Sequence, residues 1–284
     1  MVAESDGIAR FPRGLFQPPG SFRFSADALL LAAFALSSDS GCRGKPSASH
    51  SSPGPLWIDL GTGCGIVGLA ALRLAGLPRN AAGELETVRF PKHAENLSEP
   101  FCYGLDRNEE LVAAARSNAR NLGLERHFAA LTIDFSSPQW PHTASTIRNS
   151  HGRAALVLAN PPWRLEKTGR MPATEARRKA LFGNAGTFPL FVRAAATLLD
   201  PSGRFVCVVG ADRLPDMFAA LHSGAFNPLR LRLVHPSDTA PAVWALVEAR
   251  RTGRTPLQVE PPLILRGSDG NPTSVSLEFC PLLR

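Results

Sequence analysis

From Leu56 onwards, the chain alternates between short apolar runs and longer segments with helical spacing of apolar residues. Short apolar runs bounded by Gly, Pro, Asp or Asn are typical of strands buried on both faces of a sheet. They predict strands at residues 56–60, 101–105, 128–133, 154–159, 203–210, 229–234 and 242–249. The helical spacing predicts helices at residues 26–36, 66–75, 109–122, 188–199 and 213–222.

This alternation of strands and helices predicts an α/β fold with a doubly wound, mostly parallel, seven-stranded Rossmann-like sheet. Residues 1–50 are expected to form an N-terminal arm, a short helix and a linker, and residues 51–284 the α/β domain. Within that domain, residues 77–100 are polar without a clear period, which indicates an insertion. Residues 259–280 are expected to form a C-terminal hairpin.

Composition narrows the class of protein without naming a function. Of 284 residues, 44% are apolar and 19% are charged, which is typical of a globular chain. The net charge of +7 permits a polyanionic partner but does not require one. The apolar stretch at residues 28–36 is too short to cross a bilayer, and the first residues lack a signal-peptide pattern. We therefore expect a cytoplasmic protein without a membrane partner, and a monomer.

The five cysteines are dispersed, with no C-x-x-C pair and no His at metal-ligand spacing. They are Cys42, Cys64, Cys102, Cys207 and Cys280. This pattern predicts reduced thiols, mostly in the core, and no metal site.

A glycine-rich loop at residues 59–65 (Asp-Leu-Gly-Thr-Gly-Cys-Gly) follows the first predicted strand and precedes a helix. The glycines allow a tight turn and close approach to a ligand. Residues 63–68 satisfy G-x-G-x-x-G, which raises the hypothesis of a nicotinamide-dependent dehydrogenase. However, Asp59 would repel a pyrophosphate, and Asp106 lies beyond the roughly 20-residue spacing of a compact dinucleotide unit unless the insertion accounts for it. Both features favour S-adenosylmethionine, a nucleoside that carries an ammonium and a sulfonium.

Two further acidic residues end the second and third predicted strands. Asp106 is placed to accept hydrogen bonds from both hydroxyls of a ribose. Asp134 is placed to accept from an adenine amino group, with Phe135 packing on the ring. Taken alone, such a carboxylate is more often a helix cap or a solvated strand end, and it is the combination with the other strand-end residues that is specific.

The fourth strand ends in Asn160-Pro161-Pro162-Trp163. Proline restricts the residue before it, so Asn160 and Pro161 are expected to be extended at the edge of the sheet where ligands bind. An amide, backbone carbonyls outside any helix and the aromatic ring of Trp163 suit a planar group that bears an NH2. The alternative is a strand end with a Pro-Pro turn and no function.

Residues 59–65 and 160–163 resemble the paired motifs of class I methyltransferases that modify exocyclic or amide nitrogens. Residues 22–32, 242–249 and 262–273 are similar to bacterial tRNA adenine-N6 methyltransferases that act beside the anticodon of a valine tRNA. The chain departs from that family in the insertion, in Trp163 where Tyr or Phe is usual, and in Pro272 where an aromatic residue often precedes the Thr.

The resemblance implies a class I methyltransferase fold, S-adenosylmethionine as cofactor and RNA, most specifically tRNA, as partner. It places Asp27 near the methionine end of the cofactor. With the loop residues above, the expected cofactor-binding residues are Asp27, Asp59, Gly61, Thr62, Gly63, Gly65, Asp106, Arg107, Asp134, Phe135 and Asn160. The expected catalytic residues are Asn160, Pro161, Pro162 and Trp163.

In the expected reaction, the Asn160 oxygen and the Pro161 carbonyl accept the hydrogens of an adenine amino group, which favours a pyramidal nitrogen. Alignment contributes more than a general base, and none is assigned. Trp163 is expected to stack on a base that has left its own stack.

A basic cluster follows this motif and is expected to contact RNA phosphates. Its members are Arg164, Lys167, Arg170, Arg177, Arg178 and Lys179. Because Glu166 and Glu175 interleave them, a solvated helix face is the alternative.

Other functions remain open at this point. A protein glutamine methyltransferase acting on release factors also uses Asn-Pro-Pro with an aromatic residue, but such enzymes carry a substantial helical domain upstream. A guanine-N2 rRNA methyltransferase would use the same amine-accepting site. A dehydrogenase and a catalytically silent RNA-binding relic are hypotheses from other classes.

Overall fold

The computed structural model describes residues 11–21, 23–37, 55–76, 101–162, 186–253 and 255–284. Its helices are α1 (Ala26–Leu36), α2 (Ile66–Ala75), α3 (Glu109–Asn121), α4 (Trp140–His151), α5 (Thr187–Leu198), α6 (Leu214–Ser223) and α7 (Ser274–Phe279). Its strands are β1 (Leu56–Leu60), β2 (Phe101–Asp106), β3 (Phe128–Thr132), β4 (Ala154–Ala159), β5 (Leu199–Gly210), β6 (Asn227–His235), β7 (Trp244–Arg250), β8 (Gln258–Val259) and β9 (Leu263–Ile264). Short 3-10 turns lie at Ala211–Arg213 and Pro281–Leu283.

The strands form one sheet in the order β3-β2-β1-β4-β5-β7-β6-β8, with β9 also paired to β6. The first five strands are parallel, whereas β7 runs antiparallel to β5 and to β6. This confirms the predicted doubly wound, mostly parallel sheet. Within the described ranges the sheet has nine strands rather than seven, because two two-residue strands, β8 and β9, extend it beside β6.

Strands β1, β4, β5 and β7 are buried on both faces over most of their length, and consecutive residues contribute to two separate apolar layers. Trp57 and Leu156 belong to the layer that contains residues of α1, α2 and α3. Ile58 and Val157 belong to the layer that contains residues of α4, α5 and α6. The apolar runs of the sequence are continuous because helices cover both faces.

Helix α1 lies against the sheet, and its last turn is held by arginines from two strands. The Arg204 guanidinium donates to the Ala35 carbonyl at 2.9 Å, and the Arg230 guanidinium donates to the Phe34 carbonyl at 2.9 Å. Both arginines also pair with Glu248 of β7, a residue that is 1% exposed. The last carbonyls of a helix lack partners within the helix and carry its negative dipole end, so both guanidinium groups stabilise this end of α1.

Most predicted bounds agree with the structure to within a few residues, and those of α1, β1, α2 and β4 agree fully. Helix α4 was not predicted. Its buried face consists of Trp140, Ala144 and Ile147, which have helical spacing within a polar sequence. None of the helices in the described ranges has the length and apolarity required to cross a membrane.

The C-terminal tail differs in part from the expected hairpin. The chain turns back at residues 267–270, and Arg266 pairs with Pro272 in an antiparallel bridge. The second arm then continues as helix α7 instead of a strand, because the Thr273 side chain accepts a hydrogen bond from the Ser276 N–H and caps the helix. The first ten residues, most of the expected linker and the insertion at 77–100 lie outside the described residues.

Candidate active site

The glycine loop and the Asn-Pro-Pro segment follow neighbouring strands. Parallel pairing aligns Leu60, the last residue of β1, with Ala159, the last residue of β4. On the other side of β1, Leu60 is aligned with Leu105 of β2. The strand order reverses between β1 and β4, and ligands of open α/β sheets bind at such a switch point, beyond the carboxyl ends of the strands.

The loop after β1 has the backbone geometry that its glycines predict. Gly61, Gly63 and Gly65 have φ values of +69°, +56° and +91°, which L side chains rarely adopt. At Gly61 a Cβ would lie 3.2 Å from the ring of Phe191. At Gly63 a Cβ would meet no described atom within 4 Å, so the loop is open on that side.

Hydrogen bonds within the chain occupy several N–H groups of the loop. The N–H groups of Gly61 and Thr62 both donate to the Leu105 carbonyl, at 2.8 and 3.1 Å. The Gly63 N–H donates to Oδ2 of Asp106 at 2.9 Å. The Gly65 N–H donates to the Thr62 carbonyl at 2.9 Å. A pyrophosphate site requires such N–H groups to point at the ligand, so this arrangement disfavours a dinucleotide.

Asp59 lies beneath the loop and is 1% exposed. Its Oδ2 atom accepts hydrogen bonds from the Thr62 hydroxyl at 2.6 Å and from the Gly68 N–H at 3.0 Å. Burial raises its pKa from 3.8 to about 7, against the lowering effect of these two hydrogen bonds, and the nearby charge of Asp106 adds to the rise. The carboxyl group therefore braces the loop from inside and is not on the open surface where an ammonium would first be met.

Asp106 ends β2 beside the loop, as predicted. Its Oδ2 accepts from Gly63, and its Oδ1 accepts from the Asn108 N–H at 2.9 Å. Burial raises its pKa, whereas these hydrogen bonds and the positive charge of Arg107 lower it. Arg107 is exposed and lies close enough to lower the pKa of Asp134 as well. The charge of Arg107 thus lowers the pKa of the acidic side chains at the end of β2 and after β3.

The segment after β3 places an exposed carboxylate next to an aromatic cluster. The Asp134 Oδ1 accepts from the Ser136 side chain and N–H, and the side-chain hydrogen bond is the main reason that its pKa is lowered. The Phe135 ring packs edge-on against Phe191 at 5.0 Å and against Trp140 at 6.0 Å between centroids. Phe191 thus connects this cluster to Gly61 of the loop.

Asn160 follows β4 and contacts helix α1. Its Nδ2 donates to Oδ2 of Asp27 at 3.1 Å. The next residue, Pro161, is buried, and Pro162 is half-buried. Trp163 and the basic cluster predicted to bind RNA lie outside the described residues. The cluster consists of Arg164, Lys167, Arg170, Arg177, Arg178 and Lys179.

Two residues of the site were missed in the sequence. Phe191 has the spacing of a core residue of α5 and carries no chemical signal. Asn118 is 1% exposed, although it is a polar residue on the apolar face of α3. Its Nδ2 donates to the carbonyls of Phe16 and Cys64, both at 2.9 Å, and its Oδ1 accepts from the Phe16 N–H at 2.7 Å. It therefore joins the N-terminal arm to the glycine loop.

No protein-family model and no curated protein matches this chain. Among solved structures, a predicted O-methyltransferase from Agrobacterium tumefaciens is similar over 90% of this chain and 96% of its own, with a TM-score of 0.60 and 19% identity. A modification subunit of a candidate type I restriction enzyme from Vibrio vulnificus is similar over 91% of this chain, with a TM-score of 0.52 and 14% identity. This chain spans 52% of that subunit. The chain therefore has the doubly wound α/β fold that these two proteins share.

Proposed function

We propose that this protein transfers the methyl group of S-adenosylmethionine to the exocyclic amino nitrogen of an adenine in RNA. A tRNA, modified next to the anticodon, is the proposed substrate. The observation that supports this most directly is the alignment of Leu60 with Ala159, which puts the glycine loop and Asn160 side by side at the switch point. The methyltransferase fold of the two solved structures is in line with it.

The residues at the switch point fit S-adenosylmethionine better than a dinucleotide. The N–H groups of Gly61, Thr62, Gly63 and Gly65 are used within the chain, so they are not available to a pyrophosphate. Asp106 and Asp134 offer carboxylate oxygens for ribose hydroxyls and an adenine amino group, and Phe135 offers a ring edge. The open side at Gly63 leaves room for a ligand. When bound there, the cofactor would supply an electrophilic methyl group; the bond from sulfur to methyl would break, S-adenosylhomocysteine would leave, and the methylated nitrogen would lose one proton to water.

The chain's own part in the reaction is to align an amine. Asn160 and Pro161 follow a strand buried on both faces, and Pro161 is itself buried, so their backbone is fixed. The Asn160 Oδ1 and the Pro161 carbonyl are proposed to accept the two hydrogens of the amino group, which turns its lone pair out of the ring plane. Trp163 is proposed to stack on the base. The basic cluster after it is proposed to hold phosphates of the RNA.

The proposal also includes the cytoplasm as location, supported by the four described cysteines. All four are buried as free thiols: Cys64, Cys102, Cys207 and Cys280. Such thiols suit a reducing compartment.

The direct test is methyl transfer from labelled S-adenosylmethionine into bulk tRNA, followed by mass spectrometry of the nucleosides. We expect N6-methyladenosine. If the label appears in rRNA as N2-methylguanosine, or in a release factor, the proposed substrate is wrong and the proposed cofactor is right. Calorimetry with NADH tests the dehydrogenase hypothesis in parallel. We expect that NADH does not bind.

A variant tests the role of Asn160. Asn160→Ala is expected to abolish turnover and to leave the cofactor Kd nearly unchanged, since the amide acts on the acceptor amine. Asn227→Ala is the matched control, because it also removes one hydrogen bond from an asparagine side chain to a distant part of the chain, at the Gly253 carbonyl. Unchanged methylation in Asn160→Ala would contradict the mechanism.

A further inference from the structure

We propose that Asp27 is a positioning residue that fixes the rotation of the Asn160 amide and so turns its oxygen towards the acceptor amine. The inference rests on the proposed function and deepens it. It assigns to Asp27 a task different from the contact with the methionine end of the cofactor that the resemblance implies.

The chemistry of the contact determines which end of the amide faces Asp27. A carboxylate is only an acceptor, so the group of Asn160 that lies 3.1 Å from Oδ2 of Asp27 must be the NH2. The amide oxygen then points away from Asp27. Within the described part of the chain, no N–H or O–H group donates a hydrogen bond to that oxygen. Asn160 therefore presents an acceptor, and a substrate group with an N–H to donate, such as the proposed amine, fits it.

The carboxylate of Asp27 is itself held in place. It is 4% exposed, and its second oxygen, Oδ1, accepts from the Ser25 hydroxyl at 2.5 Å. Ser25 is the N-cap residue of α1, but its side chain makes no capping hydrogen bond to the backbone and serves Asp27 instead. A negative charge in the first turn also interacts favourably with the helix dipole.

The helix that carries Asp27 is anchored at its other end as well. Arg204 and Arg230 bind the carbonyls of Ala35 and Phe34, and the residues between are buried against the sheet and α2. A site on a rigid element that is fixed at both ends keeps a group within a fraction of an ångström. Asp27 is thus a fixed reference for the orientation of Asn160.

The specificity follows from this orientation. If the amide were rotated by half a turn, its NH2 would face the amine, and two donors would oppose each other. Asp27 excludes that rotamer, because an amide oxygen facing a carboxylate would be repelled. The pair therefore selects substrates that donate a hydrogen to Oδ1 of Asn160, and it disfavours groups that only accept.

The test separates positioning from cofactor binding by measuring both. Single-turnover methyl transfer at saturating RNA and cofactor gives the rate, and calorimetry with S-adenosylhomocysteine gives the Kd. For Asp27→Ala, we expect the rate to fall about 100-fold, the order of effect of a misplaced reacting group, and the Kd to change less than about threefold. A large rise in Kd with an unchanged rate at saturation would overturn the proposal and support a cofactor ligand.

A double-variant cycle tests whether Asp27 acts through Asn160. With enzyme in excess, the single-turnover assay measures the residual rate of Asn160→Ala, which is too slow for repeated turnover to be detected. The variant that combines Asp27→Ala and Asn160→Ala should have the same residual rate as Asn160→Ala alone, because the positioned group is already gone. If the rate losses of the two single variants multiply in the double variant, Asp27 and Asn160 act independently and the proposal is overturned. Asp27→Asn keeps one acceptor oxygen and should recover part of the rate. Ser37→Ala, which removes a hydroxyl bonded to the Phe34 carbonyl at the far end of α1, is the control for loosening the helix and should leave the rate unchanged.

A readout without turnover keeps this inference distinct from the proposed function. The side-chain NH2 of Asn160 can be identified by nuclear magnetic resonance as the signal lost in Asn160→Ala. In the wild type it should exchange slowly with water, and in Asp27→Ala it should exchange fast. If wild-type protein methylates no RNA but the signal behaves in this way, the proposed function fails and the positioning stands. If exchange is equal in both proteins, the positioning fails whatever the substrate.

Discussion

The Thr62 hydroxyl donates to the Asp59 carboxyl at 2.6 Å and places its side chain directly over the backbone of Gly104 on the neighbouring strand. A Cβ at Gly104 would lie 2.7 Å from Oγ1 of Thr62. The loop, the buried acid beneath it and the second strand are therefore locked together by a contact that only glycine at position 104 permits. This relationship explains why a carboxyl group can stay buried beneath the loop, and it leads to a prediction about pH.

The buried Asp59 is expected to make stability fall as pH rises from about 4 to about 7. Its pKa is about 7 in the folded protein and 3.8 in the reference state, so the folded state holds a proton that the unfolded state has lost in this window. Below the window both states are protonated, and above it the advantage is gone. The pKa difference corresponds to roughly 4 kcal/mol as an order of magnitude.

Urea unfolding of the wild type and Asp59→Asn at several pH values measures this effect. The difference in the free energy of unfolding between the two proteins should change across the window and level off above pH 7, since the amide does not titrate. A difference that is flat with pH would show that Asp59 keeps an ordinary pKa. Other acids cancel in the comparison, because both proteins contain them.

Gly61→Ala is expected to destabilise the protein and to weaken cofactor binding. The residue has a φ of +69°, for which an alanine costs roughly 1–2 kcal/mol, and its Cβ would also press on the Phe191 ring at 3.2 Å. Gly123→Ala is a matched control, because its φ is +66° and no described atom lies within 4 Å of the added Cβ. Thermal unfolding should show a larger loss for Gly61→Ala, and calorimetry should show weakened binding in that variant alone.

Asn118→Ala is expected to loosen the N-terminal arm and the glycine loop together. The substitution leaves the N–H and carbonyl of Phe16 and the carbonyl of Cys64 without their partner, at a total cost of roughly 3 kcal/mol. Asn108→Ala on the same helix is the control. It removes a cap that accepts from the N–H groups of Glu110 and Leu111, worth about 1 kcal/mol. Equal losses of stability in the two variants would contradict the role of Asn118.

The ion pair between Arg204 and Glu248 is expected to be sensitive to removal of one partner. Both residues are 1% exposed, and the two side chains are 3.0 Å apart. Glu248→Gln removes the buried anion that Arg204 and Arg230 share, although Arg230 keeps its ion pair with Glu260, and should cost roughly 3–5 kcal/mol. Combining Arg204→Met with Glu248→Leu should recover most of that loss, because it removes both buried charges. Chemical unfolding of the three proteins measures this, and no recovery in the double variant would show that the helix contacts dominate.

The sequence allowed the prediction of the sheet because its strands are buried on both faces and read as continuous apolar runs, of which residues 154–159 are the clearest. It also indicated which residues lie at the switch point, since Gly61, Asp106 and Asn160 all follow strands. It did not indicate α4, whose polar composition hides the spacing of Trp140, Ala144 and Ile147.

The pattern of apolar and polar residues did not indicate the direction in which each side chain points. Asp59 and Asp106 both lie at the carboxyl end of a parallel strand. The Asp59 carboxyl group is nevertheless enclosed, because it binds Thr62 and Gly68, whereas the Asp106 carboxyl group lies beside the loop. The contact of Asn160 with Asp27 joins residues 133 positions apart, and no local spacing encodes it.

The arginines that hold α1 imply an order of assembly. Arg204 and Arg230 lie 169 and 196 positions after the carbonyls they bind, so ribosomes make the helix long before its anchors exist. Contacts of such separation form late, because the loop between them must close first. The last turn of α1 therefore gains these two anchors only when β5 and β6 are in place beside it. A chain that ends before β5 would carry the sequence of α1 without either anchor, so we expect the orientation of Asn160 by Asp27 to depend on strands made long after both residues.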